Sequence, residues 1–199
     1  MRALARADVR DVRATALRLA LTCCAAAAFS ALCARMSFRL PFTPVPVTLQ
    51  VFAALLSGMV LGSRLGAASQ MLYVAAGASG LPVFADARGT AAVLGPTGGY
   101  IVGFIGGAFA AGLLTECMRS RPTLGAGLGG VAGITAIYLC GTAWLAVWLS
   151  ATGGAGAASP VSTAWRLGAL PFIGVDVAKA FVAGAIALGA GKLSVISHQ

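Results

Sequence analysis

Two ionisable residues lie inside the last apolar stretch of the chain. Asp176 and Lys179 are three residues apart, so on a helix both side chains project from one face. Each charge would cost about 2.5–3.5 kcal/mol at the centre of a lone membrane helix, and a charge partner or a wet cavity lowers that cost. We predict a functional pair, and the alternative is a structural ion pair that closes a helix bundle.

The chemistry of this pair also describes a ligand. The carboxylate of Asp176 offers acceptors for N–H donors, and the ammonium group of Lys179 offers a charge for a carboxylate. A small molecule with both a urea-like group and an acid would suit these two side chains. Asp176 follows Pro171 by about 8 Å along a helix, a depth that suits the floor of a pocket open to the outer face.

The composition requires an apolar solvent around the chain. Of its 199 residues, 59% are hydrophobic and 10% are charged, whereas about a quarter of the residues are charged in a soluble domain. A soluble fold of this length could not bury so much apolar surface. We therefore predict an all-α integral membrane protein, with six transmembrane helices in one compact bundle.

Charged residues and prolines divide the chain into the predicted spans, since a crossing needs roughly 17–25 mostly apolar residues. Three prolines interrupt the segment before the second span and exclude regular helix there. A second irregular segment separates the third and fourth spans. The predicted spans cover residues 18–35 with some preceding helix, 47–61, 65–78, 99–114, 124–149 and 167–189.

The distribution of Lys and Arg orients these spans. With both termini in the cytoplasm, the inner side holds the N-terminal arginines and those near the 61–65 and 114–124 connections, as the positive-inside rule requires. The boundaries are then a basic cytoplasmic tail over 1–13, a transmembrane domain over 14–191 and a cytoplasmic tail over 192–199. The basic residues give the chain a net charge of +9. Their distribution indicates that they orient the spans in the membrane and do not form a nucleic-acid-binding surface.

Motifs of enzymes and metal sites are weak in this sequence. Residues 125–130 fit GxGxxG but follow no strand, so the match is due to chance. Residues 77–80 fit the GxSG motif of intramembrane serine proteases, yet the single histidine, His198, follows the last span and is misplaced as a base. The chain has no Walker A motif, and its five cysteines form no zinc-binding pattern or disulfide framework.

Five strings occur in a fixed order along the chain. They are Pro44-Val-Pro-Val-Thr-Leu-Gln50, Leu61-Gly-Ser-Arg-Leu-Gly66, Gly80-Leu-Pro-Val-Phe84, Leu94-Gly-Pro-Thr-Gly-Gly-Tyr100, and Asp176-x-x-Lys179 after Pro171. Together they resemble the BioY family, the biotin-specific S components of energy-coupling-factor transporters. The resemblance implies the six-helix S-component fold in a bacterial inner membrane. It also implies biotin as the ligand, no cofactor, and a partner module of one transmembrane coupling subunit and two ATPases.

The resemblance also assigns site residues. Asp176 and Lys179 match the polar pair of the family's last helix and are expected to contact biotin. Four further residues are expected to supply an aromatic ring with a hydroxyl, an arginine in a turn, an amide and an apolar cover: Tyr100, Arg88, Gln50 and Phe84. For the amide, a polar residue that merely begins the second helix is the alternative.

A stripe of small residues on the first span is the last feature of interest. Ala16, Ala20, Cys24 and Ala28 lie four residues apart and therefore share one helix face. The resemblance implies that this stripe docks on the coupling subunit, and packing inside the bundle is the alternative. Self-association of the chain is a further possibility.

Three other functions compete with biotin binding at this point. An S component for another vitamin, such as thiamine or riboflavin, is the nearest, but those ligands are aromatic and fit an Asp/Lys pair less well. An intramembrane serine protease and a structural membrane scaffold are the others. Titration of the purified protein with biotin separates the biotin-binding hypothesis from the protease and the scaffold.

Overall fold

The architecture is almost entirely helical. A computed structural model describes residues 2–85, 89–156 and 158–196, and it describes residues 2–11 and 191–196 by their backbone. Within these ranges lie eight helices and one short antiparallel ribbon: α1 (Arg2–Arg35), β1 (Ser37–Phe38), β2 (Val47–Thr48), α2 (Gln50–Leu61), α3 (Ser63–Ala78), α4 (Thr90–Leu94), α5 (Gly98–Cys117), α6 (Pro122–Thr152), α7 (Pro160–Gly168) and α8 (Ile173–Ile196).

Six of these helices, α1, α2, α3, α5, α6 and α8, correspond to the predicted spans. In the described part of the chain, four segments are long and apolar enough to cross a membrane: Val12–Arg35, Gly98–Cys117, Pro122–Thr152 and Ile173–Ala190. Helix α2 has 12 residues and α3 has 16, which makes them about 18 and 24 Å long. Both are shorter than the hydrocarbon core of a bilayer, which is about 30 Å thick.

A glycine, Gly62, separates α2 from α3, and the carboxylate of Glu116 binds the first residue of α3. Gly62 has φ = 86°, a left-handed conformation that a side chain would strain. The carboxylate of Glu116, near the end of α5, accepts hydrogen bonds from the Ser63 backbone N–H at 2.9 Å and from its hydroxyl at 2.7 Å. The first turn of α3 is therefore capped by a side chain from another helix.

The predicted sixth span is wrong at its start. We expected one helix from Leu167, but α7 ends at Gly168 and α8 begins at Ile173. Pro171 explains the interruption, because it has no backbone N–H to continue the helix and disfavours helical backbone in the residue before it. The amphipathic helix α7 was not expected from the sequence.

Helices α5 and α6 pack with their backbones in close approach. A Cβ atom on Gly107 would lie 2.6 Å from the Ile137 side chain, and one on Gly133 would lie 2.9 Å from the Gly107 carbonyl oxygen. Such contacts leave room only for glycine at these positions. They account for the small-residue spacing in both helices.

A buried polar cluster joins α1 to α2 and α3. Gln70 of α3 is fully buried. Its Nε2 donates to the hydroxyls of Ser30 on α1 and Ser57 on α2, at 3.0 and 3.3 Å. The Ser30 hydroxyl lies 3.3 Å from Gln70 Oε1 as well. The amide therefore satisfies polar groups of two other helices in the bundle interior.

The proline-rich segment 40–47 forms the connection of the β-ribbon. Ser37 pairs with Thr48 and Phe38 pairs with Val47, and the segment between them loops over one end of the bundle. Thr43 on this loop donates a 2.7 Å hydrogen bond to the carbonyl of Leu167. The ribbon loop and α7 are thus tied together over the end at which α2, α5 and α8 begin.

Candidate functional site

The predicted ion pair lies in the first turns of α8 and is buried. Lys179 Nζ lies 2.6 Å from Asp176 Oδ1, and the two residues are 9% and 3% exposed. The hydroxyl of Tyr138, on α6, donates a 2.7 Å hydrogen bond to Asp176 Oδ2. The carboxylate thus has one donor on each oxygen, which compensates its charge while leaving lone pairs for a further N–H donor.

A cavity of about 320 Å³ opens beside this pair, within the size range of small-molecule sites. Its wall is formed by the starts of α2, α5 and α8, by α4, part of α6 and the end of α7, and by the ribbon loop and the segment after α3. Five residues predicted for the site line the cavity together: Gln50, Phe84, Tyr100, Asp176 and Lys179. The sixth, Arg88, lies outside the described residues. Residues more than a hundred positions apart in the sequence are therefore brought to one cavity.

The ring of Tyr100 lines the cavity, and its hydroxyl donates its proton to another residue of the protein. The hydroxyl donates a 2.9 Å hydrogen bond to the carbonyl of Gly168 at the end of α7. A Cβ on Gly141 would overlap the Tyr100 ring, so the ring packs directly on the α6 backbone. We infer that Tyr100 can contact a ligand by its ring or as a hydrogen-bond acceptor, whereas donation would require breaking the bond to Gly168.

Gln50 both begins α2 and lines the cavity. Its backbone N–H donates to the Thr48 hydroxyl at 3.2 Å, and its side-chain Nε2 donates to the Tyr73 hydroxyl at 2.7 Å. The two alternatives considered for this residue are therefore not exclusive. A polar residue at the helix start also places an amide in the cavity wall.

Phe84 closes the cavity from the segment after α3. It is 1% exposed, and its ring meets that of Tyr73 edge to face, with centroids 5.3 Å apart. Hydrogen bonds from Arg35 to the Pro82 carbonyl and from Tyr73 to the Val83 carbonyl hold the preceding residues. The apolar cover expected at this position is thus anchored to α1 and α3.

Several lining residues were not identified from the sequence. The cavity wall also contains Arg39, Thr48, Tyr138 and Trp148. Arg39 and Thr48 lie beside or within the Pro44–Gln50 string, so their proximity to it was the available signal. Tyr138 and Trp148 lie in a long apolar helix with no local motif. Only their packing against other elements brings them to the site.

The small-residue stripe of α1 lies away from this cavity. Ala16, Ala20, Cys24 and Ala28 are all exposed on the surface of the chain. Packing inside the bundle, which was the alternative reading of the stripe, is therefore wrong for these four residues. The stripe presents a smooth surface to lipid or to a partner.

Comparison with known proteins gives consistent matches. The model of the BioY family matches residues 5–194. A biotin transporter BioY from Thermotoga maritima is 44% identical over 157 residues, which cover 78% of this chain and 86% of that protein. The biotin transporter BioY of Rhodobacter capsulatus is 38% identical over 168 residues, covering 80% and 87%.

The fold also has a counterpart among solved structures. The chain superposes with a TM-score of 0.75 on a crystal structure of the S-component for biotin from an ECF-type ABC transporter. The match covers 89% of this chain and 93% of that one, at 22% sequence identity. At that identity the likeness establishes a shared fold, and the assignment of a ligand depends on the closer relatives and on the cavity.

Proposed function

This chain belongs to the BioY family, as its five sequence strings indicated, and we propose that it is the membrane-embedded subunit that binds biotin for uptake into the cell. A protein of this family is a transporter component and not an enzyme, and biotin is its substrate, with no cofactor. Relatives named as biotin transporters do not favour the alternatives of another vitamin or an intramembrane protease.

The observation that carries the proposal is the buried group of Tyr138, Asp176 and Lys179 in the cavity wall. Biotin has a ureido ring with N–H donors, an apolar bicycle and a carboxylate. Asp176 supplies an acceptor and Lys179 a positive charge. Tyr100 and Phe84 supply apolar surface for the bicycle. We include Gln50 and Arg88 in the same proposed site.

We further propose that all six major helices cross a bacterial inner membrane, with both termini in the cytoplasm. The support is the clustering of basic residues. Arg64, Arg119 and Arg121 follow the ends of α2 and α5, opposite the end at which the cavity opens. Helices α2 and α3 are short, so their connection at Gly62 would lie within the inner interface. The proposed domain boundaries remain 1–13, 14–191 and 192–199.

We propose a coupling subunit and two ATPases as partners, as the resemblance to the biotin S components of energy-coupling-factor transporters implies. The sequence has no Walker A motif, so energy for uptake would come from such a partner or from an ion gradient. The exposed stripe of Ala16, Ala20 and Cys24 on α1 is the proposed docking surface. Small side chains let helices approach closely in lipid, where hydrophobic drive between helices is weak. The same surface could alternatively support association between copies of this chain.

Titration of the purified protein in detergent tests the proposed function. Biotin should bind with one site per chain, and biotin methyl ester should bind more weakly because it lacks the carboxylate. Desthiobiotin keeps the ureido ring and the acid but lacks the thioether, so it should bind with an affinity between the two. Absence of biotin binding by folded protein would contradict the proposal, and saturable binding of thiamine or riboflavin in its place would redirect it.

A further inference from the structure

Tyr73 lies directly behind the cavity wall and is not itself a lining residue. It is 1% exposed on α3 and contacts two polar groups. Its hydroxyl lies 2.7 Å from Gln50 Nε2 and 3.2 Å from the carbonyl oxygen of Val83. It therefore connects a residue of the cavity wall to the segment that carries Phe84.

The two hydrogen bonds of the Tyr73 hydroxyl can have only one direction. The Val83 carbonyl can only accept, and a tyrosine hydroxyl has a single proton to donate. Tyr73 therefore donates to Val83 and accepts from Gln50. Only the amide nitrogen of Gln50 can be that donor. If the amide were reversed, Gln50 would take the hydroxyl proton away from Val83.

This direction determines which atom of Gln50 remains for a ligand. With Nε2 turned to Tyr73, the carbonyl oxygen Oε1 is the other end of the amide. Gln50 lines the cavity, and among the described residues no hydrogen bond reaches Oε1. In the part of the chain that the structure describes, no fully buried side-chain oxygen lacks a hydrogen-bond partner, so this unbonded oxygen retains accessible surface. The cavity wall at Gln50 is therefore a hydrogen-bond acceptor.

We propose that Tyr73 is a positioning residue that holds the Gln50 amide with its oxygen toward the ligand, so that this wall selects an N–H donor. The inference rests on the proposed function and deepens it. In biotin the selected group is one N–H of the ureido ring, and the second N–H is left to Asp176 across the cavity. Tyr73 acts through Gln50 and does not touch the ligand.

The segment after α3 determines where Tyr73 can lie. The Phe84 ring stands at 85° to the Tyr73 ring, and a Cβ on Gly77 would overlap Phe84. The Val83 carbonyl and the Phe84 ring thus fix the tyrosine from one side while Gln50 occupies the other. Specificity at Gln50 therefore depends on Tyr73, which does not line the cavity, and on the packing of the segment after α3 that holds it.

A double-mutant cycle with matched ligands tests this assignment. The variants are Tyr73→Phe, Gln50→Ala and the double variant, with Ser69→Ala as the control because it removes another buried hydroxyl from α3. The ligands are biotin and its two lactam analogues, in each of which one ureido N–H is replaced by CH2. Affinities are measured by calorimetry, and ligand-free thermal unfolding verifies that each variant is folded.

Tyr73→Phe should lower the preference for biotin over one lactam about tenfold, the size expected for one hydrogen bond. Its preference over the other lactam should be unchanged. Gln50→Ala should have the same selective effect, and the double variant should be no worse than Gln50→Ala. Ser69→Ala should leave both preferences as in the wild type.

Two results would overturn the inference while leaving biotin binding intact. One is a double variant whose loss of preference for biotin over the lactam equals the product of the losses in Tyr73→Phe and Gln50→Ala, which would mean that the two residues act independently. The other is an equal loss for biotin and both lactams, which a merely structural role would produce. If Tyr73→Phe does not fold, Gln50→Ala alone decides, since unchanged preferences over both lactams exclude an acceptor there. Wild-type protein that does not bind biotin would overturn the proposed function as well.

Discussion

The Tyr138 hydroxyl donates a 2.7 Å hydrogen bond to Asp176 although 38 residues separate them. Lys179 binds the other carboxylate oxygen from the next turn of the same helix. The carboxylate therefore has a partner from α6 and one from α8. A charge in the membrane interior is tolerated when it is paired in this way. The pairing also fixes both oxygens at the cavity wall, where they can accept from a ligand.

The first prediction concerns the ion pair. Asp176→Asn and Lys179→Ala should each weaken biotin binding by at least about 100-fold, because removing one partner leaves the other charge uncompensated at a cost of about 3–5 kcal/mol. Lys179→Ala should also reduce the preference for biotin over its methyl ester, since the charge that binds the carboxylate is lost. Calorimetric titration of both ligands measures these effects.

Val177→Ala is a suitable control for these variants, because Val177 is 53% exposed on the same helix. It should bind both ligands as the wild type does. If folded Asp176→Asn and Lys179→Ala proteins bind biotin normally, the pair is structural and the proposed site is wrong.

The second prediction compares two buried tyrosine hydroxyls. Tyr138→Phe removes a hydrogen bond to a carboxylate, and Tyr100→Phe removes one to the Gly168 carbonyl. Bonds to charged groups contribute about 1.5–3 kcal/mol and neutral ones about 0.5–1.5 kcal/mol. Tyr138→Phe should therefore lower the ligand-free unfolding temperature more. Equal shifts would contradict the assignment of the stronger of the two hydrogen bonds to Asp176.

The third prediction separates coupling from binding. Ala16→Trp and Ala20→Trp should leave biotin binding nearly unchanged but impair uptake in cells that contain an energising module. A bulky ring on the exposed stripe would keep a partner helix away. Binding should be spared because none of the described residues of α1 lines the cavity. Thr15→Trp is the control, since Thr15 is also exposed but lies about 100° or more around the helix from every residue of the stripe.

For this third prediction, combined loss of binding and uptake would show that the substitutions disturb the fold or the ligand site, and would contradict the proposed docking role of the stripe. Normal uptake in both stripe variants would mean that this face of α1 contacts lipid only.

The fourth prediction concerns topology. Ser120 and Ser159 are both exposed, in the α5–α6 and α6–α7 connections. As single cysteines in a background without the five native ones, Ser159→Cys should react with an impermeant thiol reagent added to intact cells. Ser120→Cys should react only after the membrane is opened. Labelling of Ser120→Cys from outside would reverse the proposed orientation.

The helices illustrate which structural features can be predicted locally. Apolar runs between charges located the six major helices, because each run must satisfy its own backbone in an apolar solvent. The division of the last predicted span into α7 and α8 was missed, although Pro171 was visible. Apolar residues on both sides of it resemble a continuous span, so the sequence did not show that Pro171 ends one helix before the next begins. The Leu167 carbonyl of α7 accepts a hydrogen bond from Thr43, which ties α7 to the ribbon loop.

The sequence alone determined that the chain folds in a membrane, that it carries Asp176 and Lys179 on one helix face, and that its strings resemble those of one transporter family. These features depend on composition and on spacing within single segments. The tertiary structure decided which groups meet those residues: Tyr138 at Asp176, Gly168 at Tyr100, and Tyr73 at Gln50. The physical reason is that a side chain's hydrogen-bond partner across a bundle is set by the packing of helices distant in sequence, which no local spacing encodes.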